Sequence, residues 1–442
     1  MEKITIPENV RTILKTLNEN GFEAYAVGGC VRDSLMGRIP NDWDITTSAL
    51  PLEVKGLFRK TVDTGIQHGT VTVLLGGGAY EVTTYRLDGE YEDSRHPKTV
   101  EFTSLLSEDL RRRDFTINAM AANEEELVDL FGGREDLEAR IIRCVGDANE
   151  RFSEDALRIL RAVRFAAQLG FSIEEKTMEA ICEKAGTLEK ISQERIQAEL
   201  VKLVTSDNPG FIRIACKTGI TAVILPELQA AIQTQQNNPH HSFSVGEHMI
   251  RSMDFVPPEK HLRLAMLFHD IGKPLVKSTD EEGIDHFYGH GDVSAEMARE
   301  ILRRLKFDNE TVRKVTHLIR FHDYRPDLTE KAVRRMMNRV GEELLEDVFT
   351  VQRADIEAQS SHQKEEKLGK LSRVQELVRM IQEKHQCVSL KQLSVTGRDL
   401  IADGMAPGRE IGRVLDALLK DVLETPEHNT KEYLLALSRT LR

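Results

Sequence analysis

Two aspartates, Asp42 and Asp44, stand one residue apart in the stretch NDWDITTSAL, with Trp43 between them. In an extended strand, residues i and i+2 point to one face, so the two carboxylates would project together. Neighbouring carboxylates repel each other unless solvent screens them or a cation lies between them. The pair therefore predicts either a divalent-metal site or a solvated strand end, and these residue types alone leave both open.

A glycine turn lies shortly upstream of this pair, in the stretch EAYAVGGCVRD. Gly28 and Gly29 follow a predicted strand and precede a predicted helix that begins near Arg32. Glycines at such a place let a phosphate approach backbone N–H groups, and an arginine adds a charge-assisted contact. A phosphate site beside two carboxylates suits metal-dependent phosphoryl or nucleotidyl transfer. The alternative is a turn that serves only the fold.

Arginines cluster in two further stretches. In RRRDFTINAMA, residues 111–121, three arginines including Arg113 predict a triphosphate clamp or, alternatively, a basic helix end. In SEDALRILRAVRFA, helical spacing of 100° per residue places Asp155, Arg158 and Arg161 on one face. That face would serve either nucleotide recognition or an exposed row of salt bridges.

A second set of residues has the chemistry of metal ligands. Histidines and aspartates recur in GEHMIRSM, AMLFHDIGKP, YGHGDVSAEM, VTHLIRFHDY and QRADIEAQ. Histidine nitrogen and aspartate oxygen suit borderline metals such as Mn, Fe, Ni or Zn. The pattern predicts either a working metal site or a fold in which the same residues are only structural.

The elements that must position these residues change along the chain. Residues 7–21 have helical spacing of apolar residues, EAYAV predicts a strand, and TVTVLLGGGAYEVTTYRL predicts a hairpin. Strand signals nearly vanish after about residue 150, where helical periodicity dominates. The sequence therefore predicts an α+β protein, with a small mixed sheet in an N-terminal head and an all-α remainder.

Composition excludes several classes of function. The 442 residues allow two to four domains, and no run is apolar enough to span a bilayer, so we expect a cytoplasmic protein with no membrane partner. Five scattered cysteines without a CxxC pair predict free thiols. The net charge of −12 argues against nucleic-acid binding through bulk charge, so any polyanion partner must meet local basic patches, and no DNA partner is expected.

The ordered series GGCVRD, DWDITTSA, RRRDFTINAMA, DLFGGREDL, SEDALRILRAVRFA and ISQERIQAEL resembles the signature of class II tRNA nucleotidyltransferases. These are the CCA-adding enzymes and their poly(A) polymerase relatives, in the DNA polymerase beta nucleotidyltransferase superfamily. The C-terminal stretch that begins LSVTGRDLIADGMAPGRE is similar to the tRNA-binding tail of bacterial members. The resemblance implies a nucleotidyltransferase head over 1–145, a helical neck over 146–232, an HD domain over 233–370 and a helical tail over 371–442.

The resemblance also implies a role for each motif. Asp42 and Asp44 would be catalytic and bind Mg²⁺, and Glu81 is a candidate for the third carboxylate that is usual in the superfamily. Residues expected to bind the nucleotide are Gly29, Arg32, Arg113, Glu154, Asp155, Arg158, Arg161 and Arg164. The partners would be tRNA, CTP and ATP.

The choice of nucleotide has a chemical basis that does not depend on the resemblance. Cytosine and adenine both offer an amino donor beside a ring-nitrogen acceptor, which a carboxylate beside a guanidinium matches. One such pair can therefore admit CTP and ATP and reject UTP and GTP without a nucleic-acid template. Together with this chemistry, the resemblance implies that C, C and A are added to the tRNA 3′ end. Enzymes that add only CC, only A or a poly(A) tail are the alternatives. The loop YRLDGEYEDSRHPKTV resembles a flexible loop of A-adding enzymes, which argues against CC-only addition.

The histidine-rich region resembles the HD phosphohydrolase superfamily, whose metal quartet would be His248, His269, Asp270 and Asp355, with Ni or Mn as a candidate metal. Further ligands or phosphate contacts would come from His290, His317 and His322. Two other readings are an HD phosphohydrolase whose head only docks RNA, and a non-enzymatic RNA-binding protein. Both are disfavoured because a degenerate head would have no reason to keep Asp42 and Asp44.

Overall fold

The computed structural model describes residues 4–88, 100–240 and 242–441. These residues form two compact units, Met1–Pro226 and Glu227–Arg442. The predicted division into four domains is finer, and its boundaries stay a prediction. Within the described ranges, no helix is long and apolar enough to cross a membrane.

The first unit contains a mixed sheet. Its strands are β1 Ala24–Val27, β2 Asp44–Thr47, β3 Thr61–Gly65, β4 Thr70–Leu75, β5 Gly78–Thr84, β6 Arg86–Asp88, β7 Val100–Phe102, β8 Met120–Ala122, β9 Leu127–Asp129, β10 Ile141–Ile142 and β11 Ser172–Ile173. Seven of them form one sheet in the order β3-β4-β5-β2-β1-β8-β9, in which β2 and β5 run parallel. This sheet confirms the α+β prediction.

The helices of the first unit are α1 Glu8–Glu19, α2 Gly29–Leu35, α3 Pro51–Leu57, α4 Leu106–Arg111, α5 Gly133–Ala139, α6 Ala148–Glu154, α7 Leu157–Leu169, α8 Glu175–Lys184, α9 Gln193–Val204, α10 Ile212–Lys217 and α11 Ile220–Ile224. Helix α1 confirms the helical spacing over residues 7–21, because it follows Pro7 and buries Val10, Ile13, Leu14 and Leu17. The predicted hairpin is also confirmed. Gly76 and Gly77 form its turn with φ of +58° and +81°, which glycine adopts readily.

The two faces of the sheet carry different residues. Ile45 and Val82 bury on one face, in a core shared with α1 and α3. The hydroxyl of Thr46 donates to the buried carboxylate of Asp109 in α4, so Thr46 points to the opposite face. Side chains alternate along a strand, so Asp44 lies on the same face as Thr46. The fold thus directs Asp44 away from the apolar core and toward α4.

The second unit is helical, as predicted. The helices from the unit boundary onward are α12 Pro226–Gln233, α13 Val245–Ser252, α14 Lys260–Phe268, α15 Lys273–Val276, α16 His290–Arg304, α17 Asn309–Phe321, α18 Glu330–Val340, α19 Leu345–Ala358, α20 Lys364–Glu383, α21 Gly397–Ala402, α22 Arg409–Glu424 and α23 Lys431–Thr440. Its strands, β12 Ser278–Thr279 and β13 Asp285–His286, pair as a short antiparallel ribbon.

Candidate functional site

The aspartate pair lies where strand β2 begins. Asp44 is the first residue of the strand, whereas Asp42 precedes it, so the expectation that both lie in one strand holds only for Asp44. Trp43 turns toward the core between them. Asp44 is exposed at this edge. The surrounding protein nevertheless removes part of its hydration, which raises the pKa of its carboxyl. The guanidinium of Arg113 opposes this rise, and the charge of Asp42 adds to it. A cation between the two carboxylates would relieve this electrostatic strain.

A third carboxylate, Glu81, lies on the neighbouring strand β5. In the parallel β2–β5 pair, Ile45 aligns with Val82 and Thr46 with Thr83. Continuing this register by one residue aligns Glu81 with Asp44, and aligned residues share a face. Glu81 is exposed, as Asp44 is. The register therefore supports Glu81 as the third acidic residue of the site.

The glycine turn lies against two guanidinium groups. Gly28 has φ of +82°, and a Cβ there would lie 3.0 Å from Nη1 of Arg113. A Cβ on Gly29 would lie 3.7 Å from Nη2 of Arg32. The Nε of Arg113 is buried and has no hydrogen-bond partner among the described residues. The structure thus brings the glycine turn and both arginines together, with one N–H still available for an anionic oxygen.

Asp109 accepts a hydrogen bond from Arg113 on its carboxylate and holds the guanidinium in place. Its side chain is fully buried, and its Oδ1 accepts hydrogen bonds from Arg112 Nε and Nη2 at 3.0 and 2.8 Å. Its Oδ2 accepts from the Thr46 hydroxyl at 3.0 Å and from Arg113 Nη2 at 3.4 Å. Burial alone would raise the pKa of Asp109, but the guanidinium groups of Arg112 and Arg113 lower it. One carboxylate therefore joins the strand that carries Asp44 to Arg113.

Asp155 lies at a break between two helices. Helix α6 ends at Glu154 and α7 begins at Leu157, so the prediction that Asp155 shares a helical face with Arg158 and Arg161 is wrong. The cause is the aspartate itself, because its Oδ1 accepts from the Leu157 N–H at 3.0 Å and its carbonyl accepts from the Arg158 N–H at 3.0 Å. Aspartate commonly stabilises a helix start in this way rather than continuing a helix.

The carboxylate of Asp155 and the guanidinium of Arg158 are both fixed by the fold. Asp155 Oδ2 accepts from Arg195 Nη2 at 2.7 Å. Arg158 Nη1 donates to the Arg151 carbonyl at 3.0 Å and to Glu154, and its Nη2 donates to the Arg112 carbonyl at 2.8 Å. A guanidinium has five N–H donors and a carboxylate oxygen accepts more than one, so each group keeps capacity for another partner.

Arg161 belongs to a chain of buried contacts. Its Nε and Nη2 donate to Asp114 Oδ2 at 2.8 and 2.5 Å, and they hold the pKa of Asp114 at about 2 although burial would raise it. Asp114 Oδ1 accepts from Asn118 Nδ2 at 3.1 Å, and Asn118 Oδ1 accepts from Arg32 Nη1 at 2.7 Å. The chain of contacts runs from helix α7 to the helix after the glycine turn.

Arg164 takes a supporting place. It donates to Glu199 and lies 3.8 Å from the centroid of the Phe165 ring. The motif RRRDFTINAMA contains Asp114 and Asn118, and ISQERIQAEL contains Arg195, but the sequence alone assigned these residues no role. The signal available was their place inside those motifs.

In the second unit, a buried cluster joins residues from three places in the chain. His248 of α13, His269 and Asp270 after α14, and Asp355 of α19 converge. His248 Nε2 lies 3.0 Å from Asp355 Oδ1 and 3.2 Å from His269 Nε2. His269 Nε2 lies 3.3 Å from Asp270 Oδ2. The structure thus brings together all four residues of the predicted quartet.

Two of the three accessory histidines extend this cluster. His290 and His322 lie 3.3 and 3.5 Å from Asp270 Oδ1, and their Nε2 atoms are 3.2 Å apart. The structure places His317 outside the cluster, with its Nε2 2.7 Å from the Val340 carbonyl oxygen. Five residues of helix correspond to about 140° of rotation, so His317 and His322 point in different directions.

The hydrogen bonds of the rings show what the cluster can bind. Nδ1 of His269, His290 and His322 lies 2.6–2.9 Å from a backbone carbonyl oxygen. A carbonyl only accepts, so Nδ1 carries the proton and Nε2 of each neutral ring presents a lone pair. Facing lone pairs at 3.2 Å require a proton or a metal ion between them. Two possible ligand groups share Asp270, namely His248, His269 and Asp270, and Asp270, His290 and His322.

Three segments of the chain match known families. Residues 24–143 match the poly(A) polymerase head domain, 170–232 the RNA- and SrmB-binding site of polymerase A, and 278–437 tRNA nucleotidyltransferase domain 2. The first match covers the sheet, the glycine turn and the aspartate pair. The fold and the head site together define a nucleotidyltransferase of the class that includes poly(A) polymerases and tRNA nucleotidyltransferases.

Full-length relatives identify the family. The chain is 37% identical over 427 residues to the CCA-adding enzyme of Lactobacillus helveticus, covering 95% of this chain and 94% of the relative. A match to the CCA-adding enzyme of Lactobacillus delbrueckii subsp. bulgaricus is 59% identical but spans 192 residues, 43% of this chain and 48% of the relative. The solved CCA-adding enzyme of Bacillus stearothermophilus, in complex with CTP, shares 31% identity and a TM-score of 0.75 over 99% of this chain and 98% of that one. The chain belongs to the family of CCA-adding enzymes, and it is a tRNA nucleotidyltransferase.

Replacing Asp109 tests whether its contacts position the nucleotide site. We expect Asp109→Asn to raise the nucleotide KM about tenfold, because a charge-assisted hydrogen bond to Arg113 is worth about 1.5 kcal/mol or more. Asp136→Asn is the matched control, because Asp136 is also buried and accepts from a threonine, Thr116, and an arginine, Arg143. Each variant should lower the free energy of unfolding by about 3 kcal/mol. Equal effects of the two on KM would show that Asp109 serves only the stability of the fold.

Proposed function

We infer that this protein adds C, C and A to the 3′ end of tRNA, with CTP and ATP as its substrates and no nucleic-acid template. The observation that carries this inference is the junction of α6 and α7, where the Asp155 carboxylate and the Arg158 guanidinium are both held in place by the protein. This pair complements the amino group and ring nitrogen that cytosine and adenine share. Uracil and guanine present a carbonyl where the carboxylate requires a donor.

The acidic residues at β2 and β5 would hold the metal on which transfer depends. Enzymes of this class use a divalent cation, and we assign Mg²⁺ to Asp42 and Asp44, with Glu81 as the third carboxylate. The fit is chemical, because carboxylate oxygens are the ligands that Mg²⁺ prefers, and because lost hydration and, to a lesser degree, the charge of Asp42 raise the pKa of Asp44, a penalty that a cation would relieve. When bound, Mg²⁺ activates the attacking hydroxyl and balances charge on the triphosphate.

The triphosphate would lie over the glycine turn. Arg32 and Arg113 flank Gly28 and Gly29, and the Nε–H of Arg113, which is unpaired within the described ranges, would supply a donor for a phosphate oxygen. Asp114 and Asn118 would fix the position of Arg32 relative to Arg161, because they connect the two guanidinium groups by hydrogen bonds. Arg161 and Arg164 support the base pocket, and Glu154 orients Arg158.

The domain division remains part of the proposal. The matched ranges 24–143 and 170–232 fall inside the proposed head, 1–145, and neck, 146–232, whereas the third match crosses the proposed boundary at 370. The loop that bears on CC-only addition lies mostly at 89–99, outside the described residues. A-only and poly(A) addition are the alternatives to full CCA addition. Because its substrate would be tRNA, we place the enzyme in the cytoplasm.

Product lengths test this function directly. The substrates are tRNAs that end at the discriminator base, at C or at CC, supplied with CTP and ATP separately and together. We expect completion of CCA from each, and an enzyme that extends only the CC-ending tRNA would contradict full CCA addition. Asp44→Asn should slow every addition by roughly 10³-fold, since a bound metal ion contributes several kcal/mol to the transition state.

The same variant should not destabilise the head. The pKa of Asp44 is raised in the folded state, so its charge disfavours folding and neutralising it should leave the free energy of unfolding unchanged or higher. Asp63→Asn, which removes an exposed carboxylate from strand β3 of the same sheet, is the control and should keep normal rates. Normal rates for Asp44→Asn in Mg²⁺ would refute the metal assignment.

A second candidate function is phosphate-ester hydrolysis in the second unit. It is favoured by the two ligand groups that share Asp270, which have the donor set of a site for Mn²⁺ or Ni²⁺. We propose that this is an HD-type phosphohydrolase site. In the reaction a water oxygen bonds to phosphorus, the ester P–O bond breaks, and the water's proton passes to the leaving oxygen. The metal would supply an activated water.

Hydrolysis should depend on the cluster and not on the head. With Mn²⁺ or Ni²⁺, we expect turnover of a small phosphodiester such as a 2′,3′-cyclic nucleotide, and His269→Ala should abolish it while leaving nucleotide addition unchanged. His317→Ala is the matched control, because His317 lies on α17 outside the cluster. Absence of turnover with every divalent metal tried would favour a cluster that is only structural.

A further inference from the structure

A cavity of about 330 Å³ opens onto the histidine–aspartate cluster of the second unit. Asp270, His290, His322 and Asp355 line it on the side of the cluster. Strand β13, through Asp285 and His286, and the segment after it line another side. The cluster is therefore accessible to a small molecule, and the residues at the mouth of the cavity bear on which molecule enters.

An exposed tyrosine stands at this mouth. Tyr288 has 78% of its surface exposed, although it lies only two residues from His290. One face of its ring stacks on His286, with the ring centroids 5.4 Å apart and the planes within 5° of parallel. The high exposure leaves the other face open. An exposed aromatic face of this kind can stack a flat ring such as a nucleotide base.

The pair of rings is held in place by the ribbon. His286 Nε2 lies 2.7 Å from Asp280 Oδ2. The buried carboxylate of Asp285 accepts from the Asn237 N–H at 2.7 Å, from the Thr279 hydroxyl at 2.7 Å and from Lys277 at 2.8 Å. A ring fixed in advance loses little conformational freedom when a ligand stacks on it. The ring of Tyr288 is therefore a preorganised platform on which a flat ligand can stack.

Two lysines line the cavity beside the carboxylates of Asp270, Asp285, Asp323 and Asp355, and they are the groups suited to a phosphate. Lys273 is buried, and its Nζ lies 2.6 Å from Asp270 Oδ2 and 3.2 Å from the Gln236 side-chain oxygen. Lys367 Nζ donates to Gln359 Oε1 at 2.6 Å. Ammonium groups beside a cluster of metal-ligand type favour an anionic phosphoryl group. An aromatic platform on one side and phosphate-binding groups on the other match the two ends of a nucleotide.

We propose that this cavity binds the phosphate monoester of a nucleoside, with its base stacked on Tyr288 and its phosphoryl group at the cluster and the two lysines. The inference deepens the phosphohydrolase function proposed above and rests on it for the chemistry that follows binding. It assigns Tyr288 as the residue that distinguishes a nucleotide from other phosphate esters. His286 is a positioning residue that supports the ring.

Binding to the full-length protein tests the proposal by isothermal titration in EDTA, where no ligand is turned over and the Mg²⁺-dependent head site is weakened. The ligands are AMP, ribose 5-phosphate, which lacks the base, and adenosine, which lacks the phosphate. We expect AMP to bind more tightly than either. Tyr288→Ala should weaken AMP binding roughly 5- to 100-fold, since stacking of a base on an aromatic ring is worth about 1–3 kcal/mol.

Matched variants separate stacking from indirect effects. Tyr288→Phe keeps the ring and should retain AMP affinity, and Tyr288→Ala should leave ribose 5-phosphate binding unchanged. Tyr433→Ala removes a second His–Tyr stack, that of Tyr433 on His428. Neither residue lines the cavity, so this variant should not change AMP binding. Head binding is common to all variants. Equal AMP affinity in Tyr288→Ala and Tyr433→Ala would overturn the proposal.

The source of the nucleotide is distinguished by a further ligand, a 5′-phosphorylated trinucleotide of RNA. Binding that depends on Tyr288 and is tighter than that of AMP would identify an RNA end, and weaker binding would identify a free mononucleotide. A Tyr288-dependent affinity for AMP without hydrolysis in any metal would refute only the phosphohydrolase function. Hydrolysis without any dependence on Tyr288 would refute only the platform.

Discussion

The ion pair between Asp114 and Arg161 fixes the frame on which the head site depends. Asp114 is buried, and it can stay ionised only because Arg161 and the amide of Asn118 share its charge. Arg161 in turn belongs to a group of cations that would repel one another without such partners. Three of them, Arg32, Arg161 and Arg164, lie within 5.3 Å of the centroid of the Phe165 ring. Carboxylates and one aromatic ring therefore hold together a cluster of positive charge that suits a nucleoside triphosphate.

The two units place different nitrogen groups beside their buried carboxylates. In the head, the partners are arginines, whose charge is permanent, so the geometry of donors and acceptors is fixed before a nucleotide enters. In the second unit, Asp270 and Asp355 face imidazoles whose Nε2 lone pairs can bind a metal. The first arrangement suits recognition of a base by fixed hydrogen bonds. The second suits activation of water at a metal ion.

Residues set by short-range periodicity or by motif order could be predicted from the sequence. The two-residue spacing of Asp42 and Asp44 predicted that they lie together, and the resemblance to HD phosphohydrolases predicted the quartet around His269. The strand signals beside the glycine turn predicted the mixed sheet. Three features could not be predicted, because they depend on tertiary contacts. Arg195 holds the Asp155 carboxylate at the helix break, His317 turns toward Val340, and Tyr288 becomes a platform only once strand β13 and the cluster share a cavity. The partner of Asp155, Arg195, is forty residues away along the chain.

We infer that protein side chains alone select the nucleotide, and Asp155→Asn removes the acceptor that this selection requires. The amide keeps an oxygen to accept from Leu157, gives up the acceptor of Arg195, and places a donor where the carboxylate accepted, so it should pair with the carbonyl of uracil or guanine. The measurement is kcat/KM for CTP, ATP, UTP and GTP on tRNA that ends at the discriminator base and at CC. The structure predicts that the preference for CTP and ATP over UTP and GTP falls by roughly 10²-fold or more. Unchanged preference in Asp155→Asn would contradict this account of nucleotide selection.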